Sequence, residues 1–80
     1  MSALLDSAAI GARVKVTAVD LEKDAAAWLS AVGLDAGEEV TVLRRGALGG
    51  PLHVRTASGG EFAVARELAH RISVEPAESP

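Results

Sequence analysis

Between Arg13 and Val19 the chain reads RVKVTAV, with Val14, Val16 and Ala18 alternating against Arg13, Lys15 and Thr17. A period of two in β-branched residues predicts a strand. The period then changes. In DLEKDAAAWLSAVGL, Leu21, Ala25, Trp28, Leu29 and Val32 fall at offsets of four, seven, eight and eleven, which is one stripe of a helix. Asp20 is the expected N-cap, and Glu22 and Asp24 suit the positive end of the helix dipole. Gly33 is placed as the left-handed residue just past the helix end. Leu29 and Leu34 would then make the hydrophobic contact of a Schellman motif.

After a tight turn at Asp35–Gly37 the period of two returns. Val40 and Val42 alternate with Glu39 and Thr41, a strand running to about Arg45. Leu52 and Val54 alternate with His53 and Arg55, and Phe62 and Val64 with Glu61 and Ala63. Ile72 and Val74 end the series. The segment RGALGGP joins the second and third strands, and Gly50-Pro51 marks its return. A turn at Ser58–Gly60 joins the third to the fourth. RELAH, from Arg66 to His70, predicts a single helical turn, and residues 76–80 a frayed tail. With Gly33, Gly37, Gly50 and Pro51 as structural turns, the fold class is mainly β. It comprises five short strands with an inserted α-helix and a short helical turn, a small and partly closed β-barrel. Closure would also protect edges that invite aggregation.

Composition narrows the picture. The 80 residues make one domain, 1–80, and bury only about 60% of their unfolded surface. Trp28 and Phe62 are the only aromatics, so the core must be Val, Leu, Ile and Ala. Cysteine is absent, which removes thiolate metal sites and cysteine nucleophiles and fits a reducing compartment. The N-terminus has Asp6 and no basic region, and does not read as a signal peptide. No run reaches the roughly 18–20 apolar residues of a membrane span. A cytoplasmic protein without membrane insertion is expected. The net charge of −3 and the scarcity of aromatics argue against a nucleic-acid partner.

The glycine-rich stretch Gly33–Val54 raises the question of phosphate binding. GALGGPLH has no lysine followed by a hydroxyl residue, and it links two strands rather than a strand to a helix. These glycines are turn punctuation. His53 and His70 are the only histidines and lie 17 residues apart on separate elements, weak candidates for a metal. The carboxylates Asp20, Glu22, Asp24, Glu38 and Glu39 read as a solvated helix start and a turn, not as an acid–base pair. No serine sits in a nucleophile elbow. No catalytic residue and no cofactor are expected. Trp28 reads first as a core residue capping the barrel, and otherwise as the edge of a binding groove. Leu48, at a hairpin tip, either folds back on the barrel or is offered to a partner. Arg44, Arg45, Arg55, Arg66 and Arg71 would form a basic patch only if the strands gather them.

The order of motifs resembles the FeoA family, small cytosolic accessory proteins of bacterial ferrous iron transport. The matching residues are Val32-Gly33-Leu34, Gly37, Val40, Val42, Gly50-Pro51, Val54, Phe62 to Val64, Glu67, Ala69, Ile72 and Val74, spanning about Arg13 to Glu75. The resemblance implies an SH3-like β-barrel and a non-catalytic role beside FeoB, the membrane ferrous iron transporter with a cytosolic GTP-binding domain. Trp28, Leu34, Leu48 and Arg66 are the expected partner contacts, and the state a monomer or weak homodimer. Family helices often carry arginines before the Leu-Gly-Leu element, where this chain has DAAAWLSAVGL. A similar domain ends metal-dependent transcriptional repressors, so the alternative is a metal-responsive domain binding a divalent ion through His53 or His70, across a dimer.

Overall fold

The computed structural model describes residues 3–77. Its elements are β1 (Ala3–Leu4), β2 (Arg13–Val19), α1 (Lys23–Ala31), β3 (Glu39–Arg45), β4 (Leu52–Thr56), β5 (Glu61–Val64), α2 (Arg66–Ala69) and β6 (Ile72–Pro76), with single 3-10 turns at Leu5–Ser7 and Ala47–Gly49. The six strands form one antiparallel sheet in the order β1-β6-β2-β3-β4-β5. Register shifts between Val16 and Ala18 and between Val42 and Arg44 let β2 and β3 bend. The bent sheet wraps a single core, the SH3-like arrangement.

The alternation holds wherever the strands are regular. Val14, Val16, Val40, Val42, Leu52, Val54, Val64, Ile72 and Val74 all face inward and are buried. The remaining buried apolar residues are Leu5, Ala8, Leu29, Leu34 and Ala69, so the core contains no aromatic ring. The helix stop is a Schellman motif. Gly33 has φ 97°. Its N–H donates to the Ser30 carbonyl at 3.1 Å, and the Leu34 N–H to that of Leu29 at 2.8 Å. Leu29 and Leu34 are wholly buried. Gly37 closes the next turn at φ 97°, and its N–H donates to Val16 O at 2.7 Å.

Four expectations need correction. The sheet has six strands, not five, because Ala3–Leu4 pairs with Ser73–Val74. Two residues are too few for a period to register. Asp20 is not the N-cap. Its backbone N–H is drawn to Arg71 O at 2.9 Å, next to the last β2–β6 pair, so α1 starts later, with Glu22 at the cap and no side-chain capping bond. Trp28 is not in the core but 51% exposed. It lies about 100° round the helix from Leu29, at the margin of the buried stripe. The tail begins later than Pro76, which pairs with Val14, and the Ala77 N–H donates to Arg13 O at 3.1 Å. Residues 78–80 of that expected tail lie outside the described residues.

The N-terminal segment is fastened by named groups. The Arg45 guanidinium donates to Asp6 O at 3.1 and 3.3 Å and also to Ala8 O. His70 Nδ1 lies 2.9 Å from Asp6 Oδ2. The turn Leu5–Ser7 packs against α2, with Leu5 and Ala69 wholly buried. A segment with little pattern of its own thereby supplies part of the core.

Candidate functional site

The connection between β3 and β4 is a rigid projection. Gly46 N–H donates to Pro51 O at 2.8 Å and Gly50 N–H to Ala47 O at 3.0 Å. A Cβ on Gly46 would stand 3.0 Å from the backbone of Gly50 and Pro51, so the two limbs touch and only glycine fits. Above this closure the chain turns through Leu48, at φ 56° and ψ 42°, and Gly49, at φ 77°. A leucine in the left-handed region is strained. Its side chain is also fully exposed. The strain and the exposure fall on one residue, and neither is offset by burial among the described residues.

Arg66 sits at the foot of this projection. It begins α2, and its Nη2 reaches Gly46 O at 3.5 Å. Its Nε is buried without a hydrogen-bond partner among the described residues. The guanidinium thereby ties the base of the hairpin to α2 through Nη2.

Trp28 makes a separate apolar feature. Its ring meets Phe62 edge to face, with centroids 6.5 Å apart and planes at 83°. Phe62 is half-buried against the core, while Trp28 remains half-exposed. Leu34, the remaining expected contact, is wholly buried behind the helix stop and presents no surface. The structure therefore pairs Trp28 with Phe62, sets Leu48 at the tip of the hairpin whose base Arg66 touches at Gly46 O, and places Leu34 inside. Sequence reasoning passed over Phe62 as a site residue. The signal was there in its being the only other aromatic in the chain.

The histidines do not converge. His53 stands on β4 opposite Arg44 and Ala63, whereas His70 follows α2 and contacts Asp6. No group of three or more His, Asp or Glu side chains able to hold a metal occurs among the described residues. The arginines are also dispersed. Arg45 serves the N-terminal carbonyls, Arg55 pairs with Glu61 at 3.0 Å, Arg13 with Glu39 at 3.5 Å, and Arg71 with Asp20 at 3.9 Å. Such exposed pairs contribute little to stability. No helix among the described residues is long and apolar enough to cross a membrane.

Comparison with known proteins fits this geometry. The model of the FeoA domain matches residues 3–76. No curated protein sequence matches the chain. Among solved structures, the iron uptake regulatory protein FeoA superposes with a TM-score of 0.80 at 27% identity, over 94% of this chain and 96% of that one. The FeoA protein of Chlorobium tepidum does so at 0.85 and 30% identity, over 92% of this chain and 70% of the other. A manganese-dependent transcriptional repressor in complex with manganese reaches 0.84 at 18% identity, over 95% of this chain and 37% of the repressor. At that identity the likeness shows the fold alone.

Proposed function

The chain belongs to the FeoA family, accessory proteins of ferrous iron transport, and on that premise we propose that it is a cytoplasmic, non-catalytic module that docks on a FeoB-type transporter and modulates it. The observation that carries this reading is the Leu48 projection. A fully exposed leucine is held in a strained conformation by a closed glycine hairpin, with Arg66 at its base. Rigid placement of one apolar anchor lowers the entropy cost of binding. Large apolar side chains filling a partner's pocket are the usual energetic centre of an interface. Trp28, half-exposed on α1 beside Phe62, supplies a second contact.

The test is an NMR titration of labelled protein with the soluble cytosolic domain of the FeoB-type transporter from the same genome. Saturable shifts at Leu48, Arg66 and the Trp28 indole are expected. Leu48→Asp should keep the dispersed spectrum of the folded protein and weaken binding tenfold or more. A flat titration, or a Leu48→Asp protein that binds like the parent, overturns the reading.

A further inference from the structure

We infer that the free edge of β5 is a self-pairing strand, through which two copies of this chain join their sheets antiparallel about a two-fold axis at Phe62. The inference stands apart from the docking reading, because it uses the backbone of β5 and not the Leu48 projection.

The hydrogen-bond phase of β5 is set by its hairpin with β4. Thr56 N–H donates to Gly60 O at 2.8 Å, and Gly59 N–H to Thr56 O at 2.9 Å, with Gly59 at φ 101°. This is a three-residue loop ending in a glycine bulge. From the Thr56–Gly60 pair the ladder alternates, so Phe62 opposite Val54 and Val64 opposite Leu52 turn their backbone groups toward β4. Glu61 and Ala63 must then aim theirs away. β5 ends the sheet, and no backbone or side-chain hydrogen bond reaches Glu61 or Ala63 from that side among the described residues. Both residues are exposed. The edge thus offers two donors and two acceptors.

A second copy fits this edge without conflict. Antiparallel pairing centred on Phe62 sets Glu61 of one copy opposite Ala63 of the other, twice, and completes four hydrogen bonds. The small Ala63 side chain leaves room for Glu61, whose carboxylate stays 3.0 Å from Arg55 on its own β4. The two glutamates are kept apart and each is already neutralised, so like charges do not meet. On the opposite face the Phe62 side chains become neighbours as a non-hydrogen-bonded pair, with Cα atoms about 4.5 Å apart. Each brings its Trp28 with it, so the exposed aromatic pair of one copy is covered by that of the other. The contact is isologous and closed, and its four-residue length makes it weak.

Sedimentation equilibrium from micromolar to millimolar protein tests this, together with concentration-dependent amide shifts. The expected result is a reversible dimer whose shifts centre on Glu61 and Ala63. Ala63→Pro removes only an outward N–H and should abolish the dimer while β4–β5 stays paired. In case that variant misfolds, the parent protein offers a direct readout. A mixture of labelled and unlabelled copies should show an intermolecular NOE between Phe62 Hα atoms. A monomer at millimolar concentration, a dimer unaffected by Ala63→Pro, or a dimer without that NOE overturns the proposal.

Discussion

The helix end at Gly33-Leu34 and the hairpin tip at Leu48-Gly49 use the same two residue types, a leucine beside a glycine of positive φ, and finish at opposite extremes of burial. At the helix end the two returning N–H groups swing the chain back over the sheet, and Leu34 drops into the core beside Leu29. At the tip the closing bonds lie below the leucine, between Gly46 and Pro51 and between Ala47 and Gly50. Nothing remains to fold Leu48 down. In one region the glycine takes the left-handed conformation so that the leucine can be buried. In the other the leucine takes it as well and gains no burial. A turn therefore decides the fate of an apolar residue by where it closes, and composition alone does not report that.

The comparison is most sharply tested by truncation. Leu34→Ala removes a wholly buried side chain and should cost about 2–5 kcal/mol, read from urea unfolding. A change below 1 kcal/mol would mean that the helix end is not the tight region described. Next in size is Arg45→Met, which keeps the aliphatic stem but loses the bonds to Asp6 O and Ala8 O. About 1.5–3 kcal/mol should be lost. Hydrogen exchange should quicken first in Ala3–Ser7, the segment that these bonds fasten.

These two substitutions also separate what the sequence discloses from what it does not. Leu34 was legible as the residue closing a Schellman motif, because helix stops are local and Gly33 announces them. The strands from β2 to β6 were legible for the same reason: a period of two survives in four or five residues. Leu5 was not legible. Its burial depends on Arg45, forty residues on, and on Ala69 in α2. Trp28 was misplaced because a stripe drawn through five helical positions does not show which margin a sheet will cover. As for the site, the sequence marked Leu48 as a leucine without an obvious home. It could not mark the left-handed φ of Leu48, which arises only when both limbs of the hairpin meet.

Gly33→Ala probes the conformational half of the comparison with little steric confusion. A Cβ there would meet the Thr56 methyl at 3.6 Å, an ordinary contact. The cost is then that of a left-handed alanine, about 1–2 kcal/mol. A thermal melt should show it with the spectrum otherwise preserved.

The smallest effect is expected at Leu48, and its sign is the informative part. Leu48 makes no burial that a substitution could lose. Asparagine tolerates the left-handed region better than leucine, through local hydrogen bonding of its short side chain. Leu48→Asn should therefore raise stability, by up to about 1 kcal/mol. If docking uses the tip, the same variant should bind its partner more weakly. A residue that both destabilises the free protein and strengthens the complex is held in place by function rather than by folding. A Leu48→Asn protein less stable than the parent would mean that Leu48 does pack on the barrel in solution. The two leucines would then differ only in degree.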